Sequence, residues 1–203
     1  CIEIYKNGFF AVRYLVSIVL NVIFVTDIFH LPFKSAEKRH FFNRILFLKL
    51  KSTAQIVLFD TAVIGIFGKY AADKLQAAGI KLVMEAINTR DIPGFYLNNT
   101  AQALSIREQV GSANLFLQYD IYHMQIMEGD LARTLQSHLG EINHVQLADN
   151  PGRNEPGTGE INYRFLFEHL DRIGYQGWVG CEYHPLGDTQ AGLAWLKNFL
   201  QTP

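Results

Sequence analysis

Four polar side chains, Glu85, Asp120, Gln146 and Glu182, each end an apolar run that begins shortly after a glycine. Gly79 leads through Ile80-Lys81-Leu82-Val83-Met84 to Glu85, and Gly111 leads through Leu115-Phe116-Leu117-Gln118-Tyr119 to Asp120. Gly140 leads through Ile142-Asn143-His144-Val145 to Gln146, and Gly174 through Trp178-Val179-Gly180-Cys181 to Glu182. The intervals are 35, 26 and 36 residues. Each is about one strand–helix unit on the scale of roughly 250 residues for eight units. Two Glu carboxylates, one Asp and a Gln amide make an oxygen-only donor set. Such a set suits a hard divalent cation such as Mg²⁺ or Mn²⁺. Taken singly, Glu85 or Glu182 reads equally well as a carboxylate bonded to loop amides. Four such residues at unit spacing favour a common site.

Other chemistry-bearing residues lie close to these four. His123 follows Asp120 by three positions, in what reads as the loop beyond the strand, where it could ligate metal, bond substrate, orient Asp120 or pack as a histidine satisfied by backbone. His144 precedes Gln146 by two positions and so shares its strand face. The long Gly- and Pro-rich loop 150–160 carries Arg153, whose planar fork suits a carboxylate or phosphate. A loop-bracing ion pair is the alternative for Arg153. Cys181 lies within an apolar strand with no activating neighbour and reads as a core thiol. No phosphate-cradling glycine loop, zinc-type Cys/His spacing or basic stripe is present.

For the four polar groups to meet, their strands must lie parallel and side by side, with the chemistry at their C-terminal ends. The punctuation between them fits that demand. Helices are predicted over Lys69–Ala78, from a cap at Thr100 through Gln109, over Leu131–Leu139 after Asp130, over Tyr163–Ile173 and over Thr189–Gln201. Leu193, Leu196 and Leu200 would form one stripe of the last. Asn, Asp or Thr at the starts and Gly at the ends are the expected boundary residues. Alternating strand and helix is the α/β pattern.

Residues 1–68 differ from the rest. They hold ten of the fifteen Phe but three of the sixteen Gly, with eight Lys and Arg against four Asp and Glu. Residues 69–203 hold ten Lys and Arg against fifteen Asp and Glu. We therefore divide the chain into an atypical apolar and basic segment, 1–68, and a well-punctuated portion, 69–203. Within the first, Ile18–Val25 reads as a buried strand and Ala36–Leu50 as a basic stretch partly at helical spacing. The longest apolar run, Tyr14 to Thr26, is too short to span a bilayer, which takes about 20 helical residues. Net charge is −1, which argues against nucleic-acid or membrane-surface partners. Two cysteines make no disulfide framework, so a reducing, cytoplasmic setting is expected. The pattern does not set the oligomeric state, and a homo-oligomer is compatible with it.

Several stretches resemble the hydroxypyruvate isomerase family, within the xylose-isomerase-like (β/α)8 barrels. They are Val83-Met84-Glu85-Ala86-Ile87-Asn88, Gln118-Tyr119-Asp120-Ile121-Tyr122-His123, His144-Val145-Gln146-Leu147-Ala148, Pro151-Gly152-Arg153-Asn154-Glu155-Pro156-Gly157, Gly159-Glu160-Ile161-Asn162-Tyr163 and Gly174 through Tyr183. The motifs fall in order over about residues 69–203. The resemblance implies a divalent metal held by Glu85, Asp120, Gln146 and Glu182, with Glu85 and Glu182 as the acid–base pair. It implies interconversion of hydroxypyruvate and 2-hydroxy-3-oxopropanoate, with His123 and Arg153 as candidates to bind this small 2-oxo acid. Related sugar isomerases or epimerases, and a non-catalytic remnant, are the alternatives. The family would place four strand–helix units, roughly 120 residues, ahead of Glu85. Here 84 residues precede it, and the first 68 carry no family motif. The expected fold is thus α/β, a (β/α)8 barrel type that is incomplete or atypical in its N-terminal part.

Overall fold

Left-handed glycines close three of the helices. Gly79, Gly111 and Gly174 have φ of 70°, 60° and 78°, values that favour a residue without a Cβ. The computed structural model describes residues 2–4, 17–18, 65–66 and 68–197. The expected basic stretch Ala36–Leu50 lies outside them, as does all of the expected strand Ile18–Val25 except its first residue. The described strands are β1 (Ile2–Ile4), β2 (Ser17–Ile18), β3 (Leu82–Glu85), β4 (Leu115–Asp120), β5 (Ile142–Leu147) and β6 (Trp178–Cys181). They form one sheet in the order β1-β6-β5-β4-β3-β2. From β2 to β6 the pairing is parallel, and helices connect the successive strands β3 to β6. Over β2 to β6, neighbours in chain order are neighbours in the sheet, as in a barrel wall. β1 instead runs antiparallel to β6, which departs from an all-parallel barrel.

Capping side chains refine the expected helix boundaries. Thr100–Val110 starts one residue earlier than a cap at Thr100 would give, because its cap is Asn99, whose side chain accepts the Gln102 N–H at 2.8 Å. Thr100 is not free to cap, because Glu128 takes both its N–H and its hydroxyl at 2.7 Å. Leu131–Ser137 follows Asp130, which makes no side-chain cap bond, and ends two residues before Leu139. Tyr163–Arg172 is capped by Asn162. The single terminal helix expected over Thr189–Gln201 is instead an α-turn, Thr189–Gly192, followed by a 3₁₀ turn, Leu193–Leu196. The junction is Gly192, a poor helix former, lying against the Glu155 carboxylate. Leu200 falls outside the described residues.

Strand alternation sorts the two faces of the sheet. Leu82, Met84, Leu117, Tyr119, Val145 and Leu147 face the helices and join Ala103, Ile106, Leu135, Leu166 and Leu170 in the apolar core. The opposite face is polar. Register places Glu85 beside Gln118, Gln118 beside His144, and Asp120 beside Gln146. Strands of a parallel sheet are ordinarily apolar on both faces. A buried row of Glu, Gln and His on one face therefore needs a chemical reason, and it leads to the strands' C-terminal ends.

Candidate metal and substrate site

Asp120 ends β4 and caps the next helix, Ile121–Met127. Its Oδ1 accepts the N–H groups of Tyr122 at 2.8 Å and His123 at 3.2 Å. The segment read from sequence as a loop is thus a helix, because a strand-ending Asp supplies its cap. That turn carries His123 back over the strand ends. Its Nε2 lies 3.9 Å from both Glu85 Oε1 and Asp120 Oδ2. One ligand atom from each of Glu85, Asp120 and His123 falls within 4.8 Å of the others, and all three residues are buried.

Glu85 Oε1 and Asp120 Oδ2 have no hydrogen-bond partner although buried. An ionised oxygen in that state is costly unless a cation or proton meets it. Desolvation pushes both carboxyls upward: Asp120 to about 6, and Glu85 well above its ordinary value, the latter also through repulsion from Asp120 and Glu182. Burial, helped by the nearby Arg153 charge, pushes His123 down to about 4, so the ring is neutral near pH 7. Two orphaned carboxyl oxygens at the strand ends fit a divalent cation by donor chemistry, since a bound cation favours their ionised form.

The other two expected ligands are placed differently. Gln146 is buried beside Asp120, and its Oε1 accepts a hydrogen bond from Gln118 Nε2. Glu182 follows β6, and its N–H donates to Leu147 O at 3.1 Å. Its side chain is 52% exposed and pairs with Arg153 Nη2 at 3.1 Å. It stands outside the closest group of three, although its charge reaches Glu85.

Arg153 is held above the site by a braced loop. The buried Asp149 carboxylate accepts the N–H groups of Asn150, Gly157 and Ile161 at 3.0, 2.8 and 3.1 Å. A Cβ on Gly159 would strike Asn150 O and Asp149 Oδ1, so the loop closes only around glycine. His184 N–H donates to Arg153 O at 2.7 Å, tying the loop to the chain after β6. Arg153 has φ of 54°, a left-handed value uncommon for a side-chain-bearing residue. Its guanidinium lies 5.2 Å over the Tyr122 ring and 4.0 Å from Asp91 Oδ2.

Four neighbours were not singled out from sequence: Asn88, Asp91, Gln118 and Tyr122. Tyr122 Oη donates to Asp91 Oδ2 at 2.9 Å, and Asn88 Nδ2 donates to the same oxygen at 3.0 Å. Desolvation raises the Asp91 carboxyl, but these bonds and the Arg153 charge outweigh it and hold it below its usual value. Asn88, Gln118 and Tyr122 all fall inside the recognised motifs. No spacing rule marks a buried amide as a partner of the site.

A sequence model of the xylose isomerase-like TIM barrel family matches residues 69–199. The chain belongs to that family. The resemblance read from the motifs is borne out, and so is the α/β barrel fold class. Among relatives, hydroxypyruvate isomerase of Escherichia coli (strain K12) is 54% identical over 131 residues, 64% of this chain and 51% of the relative. A 2-oxo-tetronate isomerase of Cupriavidus necator is 49% identical over 131 residues, 64% of this chain and 50% of that one. Of the solved structures, an AP endonuclease, family 2, from Brucella melitensis superposes with a TM-score of 0.63 at 46% identity, covering 64% of this chain and 51% of that chain. A 3-keto-D-glucoside 4-epimerase from E. coli superposes with a TM-score of 0.61 at 28% identity, covering 68% and 54%. The chain spans about half the length of the curated relatives it matches. Among the described residues, no helix is long and apolar enough to cross a membrane.

Proposed function

We propose that this chain carries the site of a metal-assisted sugar-acid isomerase, with hydroxypyruvate and 2-hydroxy-3-oxopropanoate as the interconverted pair. The observation that carries the reading is the pair of orphaned buried oxygens, Glu85 Oε1 and Asp120 Oδ2, at the strand ends of a family barrel wall. Residues 69–203 hold the site in this reading, and residues 1–68 are the atypical segment. Glu85, Asp120, Gln146 and Glu182 would hold Mg²⁺ or Mn²⁺. Such an ion, when bound, polarises the substrate carbonyl and offsets enediolate charge.

Glu85 and Glu182 form the acid–base pair. A carboxylate takes a proton from the hydroxyl-bearing C3 of hydroxypyruvate, and a carboxyl returns one to C2. The hydroxyl proton passes from the C3 oxygen to the C2 oxygen, so atoms balance and nothing is oxidised overall. Arg153 binds the substrate carboxylate, and His123 bonds a substrate oxygen. Arg153→Lys keeps the charge but loses the fork. It should raise KM about 10-fold or more, the worth of a charge-assisted hydrogen bond, with a smaller change in kcat. An unchanged KM would leave Arg153 as a loop brace only.

Protons and a cation compete for the same carboxylate oxygens. Asp120 takes up its proton near pH 6 in the metal-free protein, and Glu85 is displaced in the same direction. Mn²⁺ affinity should therefore weaken as pH falls through about 6 and rise above it. Calorimetric titration across that range checks this, and a flat profile would remove Asp120 from the ligand set.

A second substrate, 2-oxo-tetronate, is favoured by the 49% identity to the enzyme of that name. Turnover of each acid by the purified chain, with and without Mg²⁺ or Mn²⁺, separates the two. A folded, Mn²⁺-binding chain that turns over neither would be the non-catalytic remnant. The acidic balance of residues 69–203 speaks against a phosphodiester substrate.

A further inference from the structure

We propose that Asn88 fixes His123 as the neutral tautomer with its proton on Nε2, so that the ring offers the site an N–H donor rather than a metal-ligating lone pair. The relevant hydrogen bonds begin at Asp91, whose backbone N–H donates to Asn88 Oδ1 at 2.7 Å. A backbone N–H can only donate, so this bond settles which end of the Asn88 amide is oxygen. The other end, Nδ2, carries two hydrogens. It contacts Asp91 Oδ2 at 3.0 Å and His123 Nδ1 at 2.7 Å. The Asn88 backbone N–H points at the same ring nitrogen, at 3.4 Å.

Two donors aimed at Nδ1 require a lone pair there. A hydrogen on Nδ1 would meet both of them. Asn88 cannot turn its oxygen toward the ring without breaking both of its bonds to Asp91. Neutral imidazole carries one N–H, which therefore sits on Nε2. Nε2 is the atom that faces Glu85 Oε1 and Asp120 Oδ2 at 3.9 Å. A metal-ligating His normally donates its other ring N–H to a carboxylate, carbonyl or water. Here the other nitrogen is the acceptor, which is the reverse arrangement. His123 then stands beside the cation's carboxylates without ligating it and donates to a substrate oxygen. Asn88 is the positioning residue behind it, an assignment that rests on the isomerase reading only for the identity of that oxygen.

The test is ¹⁵N NMR of histidine-labelled full-length chain, metal-free and with Mg²⁺. His123 is assigned by the signals lost in His123→Gln. An unprotonated Nδ1 and a protonated Nε2, both unmoved by Mg²⁺, are expected. A protonated Nδ1, or an Nε2 that loses its hydrogen on adding Mg²⁺, overturns the proposal. In Asn88→Asp the new carboxylate accepts from Nδ1–H, so the tautomer should invert, with a ~10- to 100-fold loss of hydroxypyruvate turnover. If that variant does not fold, the wild-type spectrum alone decides. A chain inactive on every acid with the expected spectrum would sink the isomerase reading and leave the tautomer standing.

Discussion

Glu182→Gln should lower turnover of hydroxypyruvate by at least ~10²-fold, the usual cost of losing a positioned acid or base. Glu182 ends the β6 run, and its backbone is bonded to Leu147 on β5, so the side chain leaves the wall at a fixed height. Half of it is open to solvent, and Arg153 holds one carboxylate oxygen at 3.1 Å. Gln has the same shape and can still accept from Arg153. It cannot take a proton from carbon. Because the group is exposed, the exchange should leave the fold and the unfolding midpoint unchanged, surface substitutions being usually worth under about 0.5 kcal/mol. Steady-state rates measured beside denaturant unfolding separate the two effects. Turnover within a few-fold of wild type, in a folded variant, would take Glu182 out of the mechanism.

Asp120→Asn should weaken Mn²⁺ binding by more than the ~10²-fold that losing a partner outside the ligand set can cost. The same change should not harm the metal-free fold. Asn caps helices as well as Asp, so Oδ1 can still receive the Tyr122 and His123 N–H groups. The charge is a different matter. The folded-state carboxyl is raised from 3.8 to about 6. Its protonated form favours the fold, and that contribution is lost as pH rises through about 6. At neutral pH the ionised Asp120 thus costs the metal-free protein stability, and Asn removes the cost. The metal-free variant should unfold at the same or a higher denaturant concentration than wild type, while wild type alone gains on Mn²⁺ addition. A variant that is less stable without metal, yet binds Mn²⁺ normally, would make Asp120 a capping residue and no ligand.

Both expectations use residues visible in the chain before any coordinates. Spacing marked Glu85, Asp120, Gln146 and Glu182, because a strand–helix unit has a nearly constant length and the chemistry gathers at one end of it. The helix starts were less legible. Asn99 and Thr100 are both good capping residues, and only Glu128, from 28 residues away, decides that Thr100 is occupied. The helix after β4 is hidden from the sequence for a related reason. Asp120-Ile121-Tyr122-His123 carries no helical period within four residues, and the helix depends on a side chain that also belongs to the site.

What the sequence determined by itself is the alternation of apolar strand and punctuated helix over residues 69–203, and with it the family and the strand-end placement of four polar groups. These follow from local chemistry: glycine where the backbone turns left-handed, apolar residues where a strand is buried. The tertiary structure alone decided which groups meet. It set His123 against Glu85 and Asp120, left Glu182 outside with Arg153, and locked Asn88 between Asp91 and the imidazole. The physical reason is that hydrogen-bond direction and desolvation act at a few ångströms, and the contacts of His123 with Glu85 and Asn88 and of Arg153 with Glu182 join residues some thirty or more positions apart. No periodicity in the chain records those distances.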